Sequence, residues 1–178
     1  MQYSTIALAG AALVATPISA QTPQKPAPCS TSEYRQFDFW VGEWNVFATG
    51  KTMQVATSRI EKLYGGCAIR ENWMPNSGTA GGSLNGYDAR EKLWRQTWHD
   101  GSGARVEFDG GLANANMVLT GLWRDVIAPG KDALVRMTYT PSPDGSVRQF
   151  GEQSVDFGVT WQTSFDFTYK PKGASALK

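Results

Sequence analysis

The chain has 178 residues, enough for one domain with a single sizeable core. Its 17 basic and 16 acidic side chains nearly cancel and form no basic block, which argues against nucleic-acid binding and against a polybasic membrane patch. Charged residues are only 19% of the chain while aromatics reach 12%, a mixture that suits a β domain with a ring-lined interior.

The first twenty residues, MQYSTIALAGAALVATPISA, carry no charged side chain. An apolar run from Ile6 to Val14 is broken by Thr16-Pro17 and followed by the small residue Ala20. This pattern reads as a secretory signal peptide over 1–20, cleaved after Ala20, too short to span a bilayer as a helix. The alternative is an ordinary buried N-terminal helix. No cysteine follows the cleavage point, so a lipid anchor is not expected. Residues 21–32, beginning QTPQKPAP, form a polar, proline-rich flexible leader.

Export gives the two cysteines a meaning. Cys29 and Cys67 are an even pair in a chain bound for an oxidising compartment, and they are expected to form a disulfide. It would tie the arm before the aromatic cluster to the turn at Gly65-Gly66. A metal or redox role is the weaker reading, since there is no CxxC motif and His99 is the sole histidine.

The stretch FDFWVGEWNV at 37–46 packs four aromatics into ten residues where the leader gives way to strand-like sequence. Residues 33–39 can form a short helical turn leading into it, so the cluster reads as a plug followed by a first strand. Trp40 and Trp44 belong to that plug rather than to a pocket. Beyond it the pattern is period-two runs bounded by Gly, Asn and Asp, which is hairpin punctuation. Ten strands are expected, at 43–48, 53–63, 67–74, 82–88, 93–99, 104–108, 117–123, 134–140, 147–154 and 161–169. Gly65-Gly66, Asn76-Ser77-Gly78, Asp100-Gly101, Asp109-Gly110-Gly111 and Asp144-Gly145 are the expected turns. No stretch between them is long enough for a crossover helix. The fold class is therefore all-β: an antiparallel up-and-down barrel of about ten strands with a short N-terminal helical plug, spanning 33–171, with a disordered tail at 172–178.

Strand parity sorts the side chains. Ile69, Glu71 and Trp73 share one face; Trp94, Gln96 and Trp98 share another; Trp161, Thr163, Phe165, Phe167 and Tyr169 stand together. These aromatic faces are expected to point inward, and a ten-strand barrel can be wide enough to hold a small ligand. The candidate ligand-binding residues are Glu71, Trp73, Gln96, Trp98, Arg136 and Phe165. An inward Glu71 needs a partner or stays protonated, and Arg136 or Gln96 can be that partner; the bland alternative is a structural salt bridge or a solvated outer face. Arg136, Arg148, Gln149 and Glu152 are polar groups late in the barrel. An inward arginine can clamp a ligand carboxylate, or it can stack on Trp44 and close the barrel end. His99 reads as an exposed turn histidine; a general base paired with Asp100 is disfavoured because sequence neighbours on a strand face opposite ways.

The opening Gly42-Glu43-Trp44 resembles that of lipocalins, fatty-acid-binding proteins and nitrobindins. With FDFWVGEW, SRIEKLYGGCAIRENW, NGYDAREKLWRQTWHDGSG and PSPDGSVRQFGEQSVDFGVTWQTSFDFTY, the chain resembles, over 32–169, a calycin or lipocalin-like family of secreted bacterial proteins of unassigned function. The resemblance implies a barrel and export, and no particular reaction. It departs from nitrobindins in having no histidine near the C-terminal strands to ligate haem, and His99 stands where the family pattern has an apolar residue. No Walker, GxSxG, HExxH or Cys/His motif occurs, so no metal and no cofactor is expected. The expected function is binding of a small, largely apolar or amphipathic molecule. Two alternatives stand beside it: a metal-independent isomerase, cyclase or hydratase using Glu71 or Glu152, and a structural or envelope protein with a filled interior.

Overall fold

The computed structural model describes residues 1–2 and 27–173. All but the first two residues of the expected signal peptide, the leader up to residue 26, and 174–178 of the expected tail lie outside the described residues. Ten antiparallel strands follow in order: β1 (Gly42–Ala48), β2 (Gln54–Leu63), β3 (Ala68–Pro75), β4 (Gly81–Asp88), β5 (Leu93–Asp100), β6 (Arg105–Ala113), β7 (Asn116–Ala128), β8 (Lys131–Pro141), β9 (Val147–Ser154) and β10 (Gln162–Pro171). Each pairs with the next, and β1 pairs with β10 to close the barrel. Closure leaves no sheet edge unpaired.

Alternate connections lie at opposite ends. One end receives the N-terminal arm, where 3₁₀ turns at Ser32–Arg35 and Asp38–Trp40 carry the aromatic cluster into the barrel. Phe37 and Trp40 are fully buried and stacked at 4.8 Å, and both pack against Tyr139. Trp44 Nε1 donates to Trp40 O at 2.9 Å, and Trp94 Nε1 donates to Gln36 Oε1 at 3.1 Å. The plug is thus hydrogen-bonded to the wall as well as packed on it. The Cys29–Cys67 disulfide ties its arm to the turn after β2, as the sequence predicts. Arg35 reinforces that tie by donating to Cys29 O at 2.9 Å and Gly66 O at 2.7 Å. The arginine at the closed end is therefore Arg35, not Arg136 or Arg148 stacked on Trp44.

Three expectations need correction. The stretch Asp109-Gly110-Gly111 is not a turn but part of β6; the reversal falls at Asn114 and Ala115, which adopt φ of 48° and 64°. Gly110 serves close approach instead, since a Cβ there would lie 1.9 Å from Val118 O of β7. In β10 the register shifts between Thr163 and Phe165, so the aromatic face does not run unbroken to Trp161. Thr163 falls opposite Glu152 and is exposed, and Trp161 lies outside the barrel under Arg136. Lys172, placed by the sequence in a tail, is tied to β1: its N–H donates to Glu43 O at 2.8 Å.

The outer wall carries ion pairs, among them Arg59–Glu61–Arg70, Arg95 with Asp88 and Asp109, and Arg148–Asp166. Barrels that face lipid present an apolar band there instead. Among the described residues no helix is long and apolar enough to cross a membrane.

Candidate functional site

The plug fills only one end. Between it and the opposite end lies a cavity of about 490 Å³, reaching the β3–β4 loop at Ser77 and Thr79. Its walls follow from the pleat: inward positions on β3, β5, β6 and β10 place Trp73, Trp98, Phe108, Phe165 and Phe167 around the space, with Trp123 of β7. Room for these rings comes from small residues beside them. A Cβ on Gly151 would lie 2.3 Å from the Phe165 ring, and one on Gly81 would lie 2.6 Å from the Trp98 ring. Trp98 is further oriented by its Nε1, which donates to Asp100 Oδ2 at 3.1 Å.

The inner end of the cavity is polar. Glu71 lies there only 4% exposed. Ser83 Oγ donates to its Oε2 at 3.0 Å, and Ser58 Oγ lies 3.4 Å from Oε1. Both serines come from the strands flanking β3, since Ser83 pairs with Glu71 across β3–β4 and Ser58 with Trp73 across β2–β3. The chain of bonds continues outward: Asn85 Nδ2 donates to Ser83 Oγ at 3.0 Å, and Gln96 Nε2 donates to Asn85 Oδ1 at 2.7 Å. A second network faces it. Tyr169 OH donates to Gln149 Oε1 at 2.7 Å, and Gln149 Nε2 donates to Tyr139 OH at 3.0 Å and contacts Met137 Sδ.

No cation pairs with Glu71 among the described residues. Burial therefore dominates and pushes its carboxyl up to about 7, against the partial relief of the Ser83 and Ser58 hydroxyls. Burial, and the negative charge of Glu71, also hold the Tyr139 and Tyr169 phenols well above their ordinary range. The site thus offers one carboxyl that changes charge near neutrality, in an apolar space with two phenols that stay protonated.

Five of the six ligand-binding candidates converge here: Glu71, Trp73, Gln96, Trp98 and Phe165 all line the cavity. Arg136 does not. On β8 the inward residues are Val135, Met137 and Tyr139, so Arg136 faces out. Its Nε and Nη2 donate to Glu152 Oε2 at 3.0 and 2.9 Å, and its guanidinium lies 4.0 Å from the Trp161 ring centre. Glu152 is consequently an outer-wall ion-pair partner and does not line the cavity. Gln96 touches the Glu71 network only through Asn85, so the two serines, not Gln96 or Arg136, are the partners of the carboxyl. His99 is exposed on the outer wall, and the Asp100 carboxylate serves Trp98 and Ser102 rather than His99.

Residues not singled out from sequence are Ser58, Ser83, Asn85, Tyr139, Gln149 as a network member, and Trp123. Part of the signal was present. Val135, Met137 and Tyr139 alternate around Arg136 in LVRMTYT, and Ala56, Ser58 and Ile60 alternate along β2. A comparison with protein-family models and with curated proteins finds no match to this chain.

Proposed function

We propose that this protein binds a small, largely apolar ligand inside its barrel, outside the cytoplasm, in the manner of the calycin-type barrels its opening resembles. The observation that carries this reading is the cavity itself: about 490 Å³, walled by rings, with Glu71 and its hydrogen-bond network at the inner end. That volume and that distribution of few polar groups in an apolar lining are those of small-molecule sites. A cavity of this size also weighs against an interior that is simply filled. The disulfide is consistent with an oxidising compartment.

Native mass spectrometry on protein folded in an oxidising compartment tests the reading. The expected result is a native mass exceeding the denatured mass by one discrete small molecule, or by an added apolar compound at unit stoichiometry. Failure of every apolar compound to bind would overturn it.

A second reading, proton-transfer catalysis, is favoured by one observation: a buried carboxyl near pH 7 is suited to general acid–base work. Glu71→Gln separates the two. Loss of turnover with binding retained is the enzyme's signature.

A further inference from the structure

The charge of the cavity narrows the ligand beyond "small and apolar". Among the described residues that line the cavity, Glu71 is the one charged side chain. The arginines in ion pairs at Glu61, Asp88, Glu152 and Asp166 all serve the outer wall. A carboxylate ligand entering this space would bring a second negative charge beside Glu71, with no cation among the described residues to receive it. Buried carboxylates normally have an ion-pair partner, and Glu71 has only the hydroxyls of Ser58 and Ser83.

The walls add an independent argument. Trp73 stands two residues along the same inward face from Glu71, with its ring 5.5 Å from Phe167 and 6.3 Å from Tyr169. The faces of such rings carry negative potential and attract organic cations, which is how aromatic cages hold ammonium groups. A lone carboxylate beside clustered aromatic rings is complementary to positive charge on both counts.

We propose that the barrel's ligand is a lipophilic organic cation, an alkyl- or arylammonium whose nitrogen lies against Glu71 and Trp73 while its apolar body extends between the outer rings toward the mouth. This rests on the ligand-binding reading above and adds the sign of the ligand's charge.

The test compares three compounds of equal chain length, decylamine, decanol and decanoate, each below its aggregation threshold. Each is set to displace the neutral fluorophore N-phenyl-naphthylamine at about pH 8, where Glu71 is ionised. Decylamine is expected to compete about tenfold or more better than decanol, with decanoate the weakest, as a charge-assisted hydrogen bond to a buried carboxylate requires. In Glu71→Gln the amine-to-alcohol ratio is expected to fall to within about threefold of unity. The unaltered protein supplies a second readout that needs no variant. Decylamine affinity should rise as pH rises through about 7, because the ligand must displace the Glu71 proton below that value, and decanol affinity should not rise. Tyr139 and Tyr169 are the titratable groups facing Glu71, and both stay protonated across this interval. If the fluorophore binds but decanoate competes as well as decylamine, or the amine preference survives in Glu71→Gln, the cation proposal is overturned and ligand binding stands. If neither the fluorophore nor any of the three compounds binds, both fall together.

Discussion

Removing the charge of Glu71 should change stability in a way that depends on pH, and the size of the effect follows from its burial. A carboxyl carried from an unfolded value of 4.5 to about 7 in the fold is one the native state prefers protonated. Between these values the folded protein binds more protons than the unfolded chain, so its stability declines as pH rises. Below 4.5 both states are protonated and nothing is lost; above about 7 both are ionised and the full penalty applies. That penalty amounts to about 3 kcal/mol. Glu71→Gln keeps the shape, removes the ionisation, and disturbs hydrogen bonds to Ser58 and Ser83 at a cost of about 1 kcal/mol. The variant should therefore be about 1 kcal/mol less stable than the parent near pH 4 and about 2 kcal/mol more stable near pH 8.5. Urea unfolding followed by tryptophan fluorescence at a series of pH values reads this directly. The difference between the two proteins cancels the titration of every other carboxylate. A difference that stays constant from acid to alkaline pH would refute the reasoning, because it would mean Glu71 ionises in the fold as easily as in water.

Three further outcomes are expected. Replacing Cys29 and Cys67 by alanine opens a loop of 38 residues and should cost about 4 kcal/mol in chemical denaturation, an effect that reductant reproduces in the parent and not in the variant. Gly151→Ala places a methyl group 2.3 Å from the Phe165 ring and should destabilise by about 1–3 kcal/mol while weakening ligand uptake, measured by thermal melting and fluorophore titration. Arg136→Ala removes a partly exposed ion pair and its contact with Trp161, so it should cost about 1 kcal/mol or less and leave ligand affinity unchanged by the same titration. A large loss of affinity in that last variant would return Arg136 to the cavity.

The contrast between Glu71 and Arg136 shows how far the site could be read in advance. Glu71 sits between Ile69 and Trp73 in a short run whose alternation is clean, so its inward direction follows from the pleat. The same alternation turns Arg136 outward between Val135 and Met137, so its charge serves Glu152 rather than a ligand. Trp161 could not be read so simply. Parity along β10 is correct only from Phe165 to Tyr169, because a register shift at one residue moves everything before it to the other side. The serines that hold Glu71 lie 13 and 12 residues away in sequence and meet it only through the register of β2 and β4 against β3.

Local physics is sufficient for much of this protein. Side-chain alternation, turn-forming residues and an even pair of cysteines determine an all-β chain of ten strands with a ring-rich interior and a stapled N-terminal arm. The strands and their inward rings depend on contacts within a strand or across one hairpin, which neighbouring residues specify, while the staple follows from there being only two cysteines to pair. Tertiary structure decides the rest: the depth to which the plug enters, the use of Gly110 for close approach rather than turning, the room Gly151 leaves for Phe165, and the isolation of Glu71 from any cation among the described residues. Each depends on groups distant in sequence meeting at one point. The period of a strand says which way a side chain points, but only the closed barrel determines what it meets there.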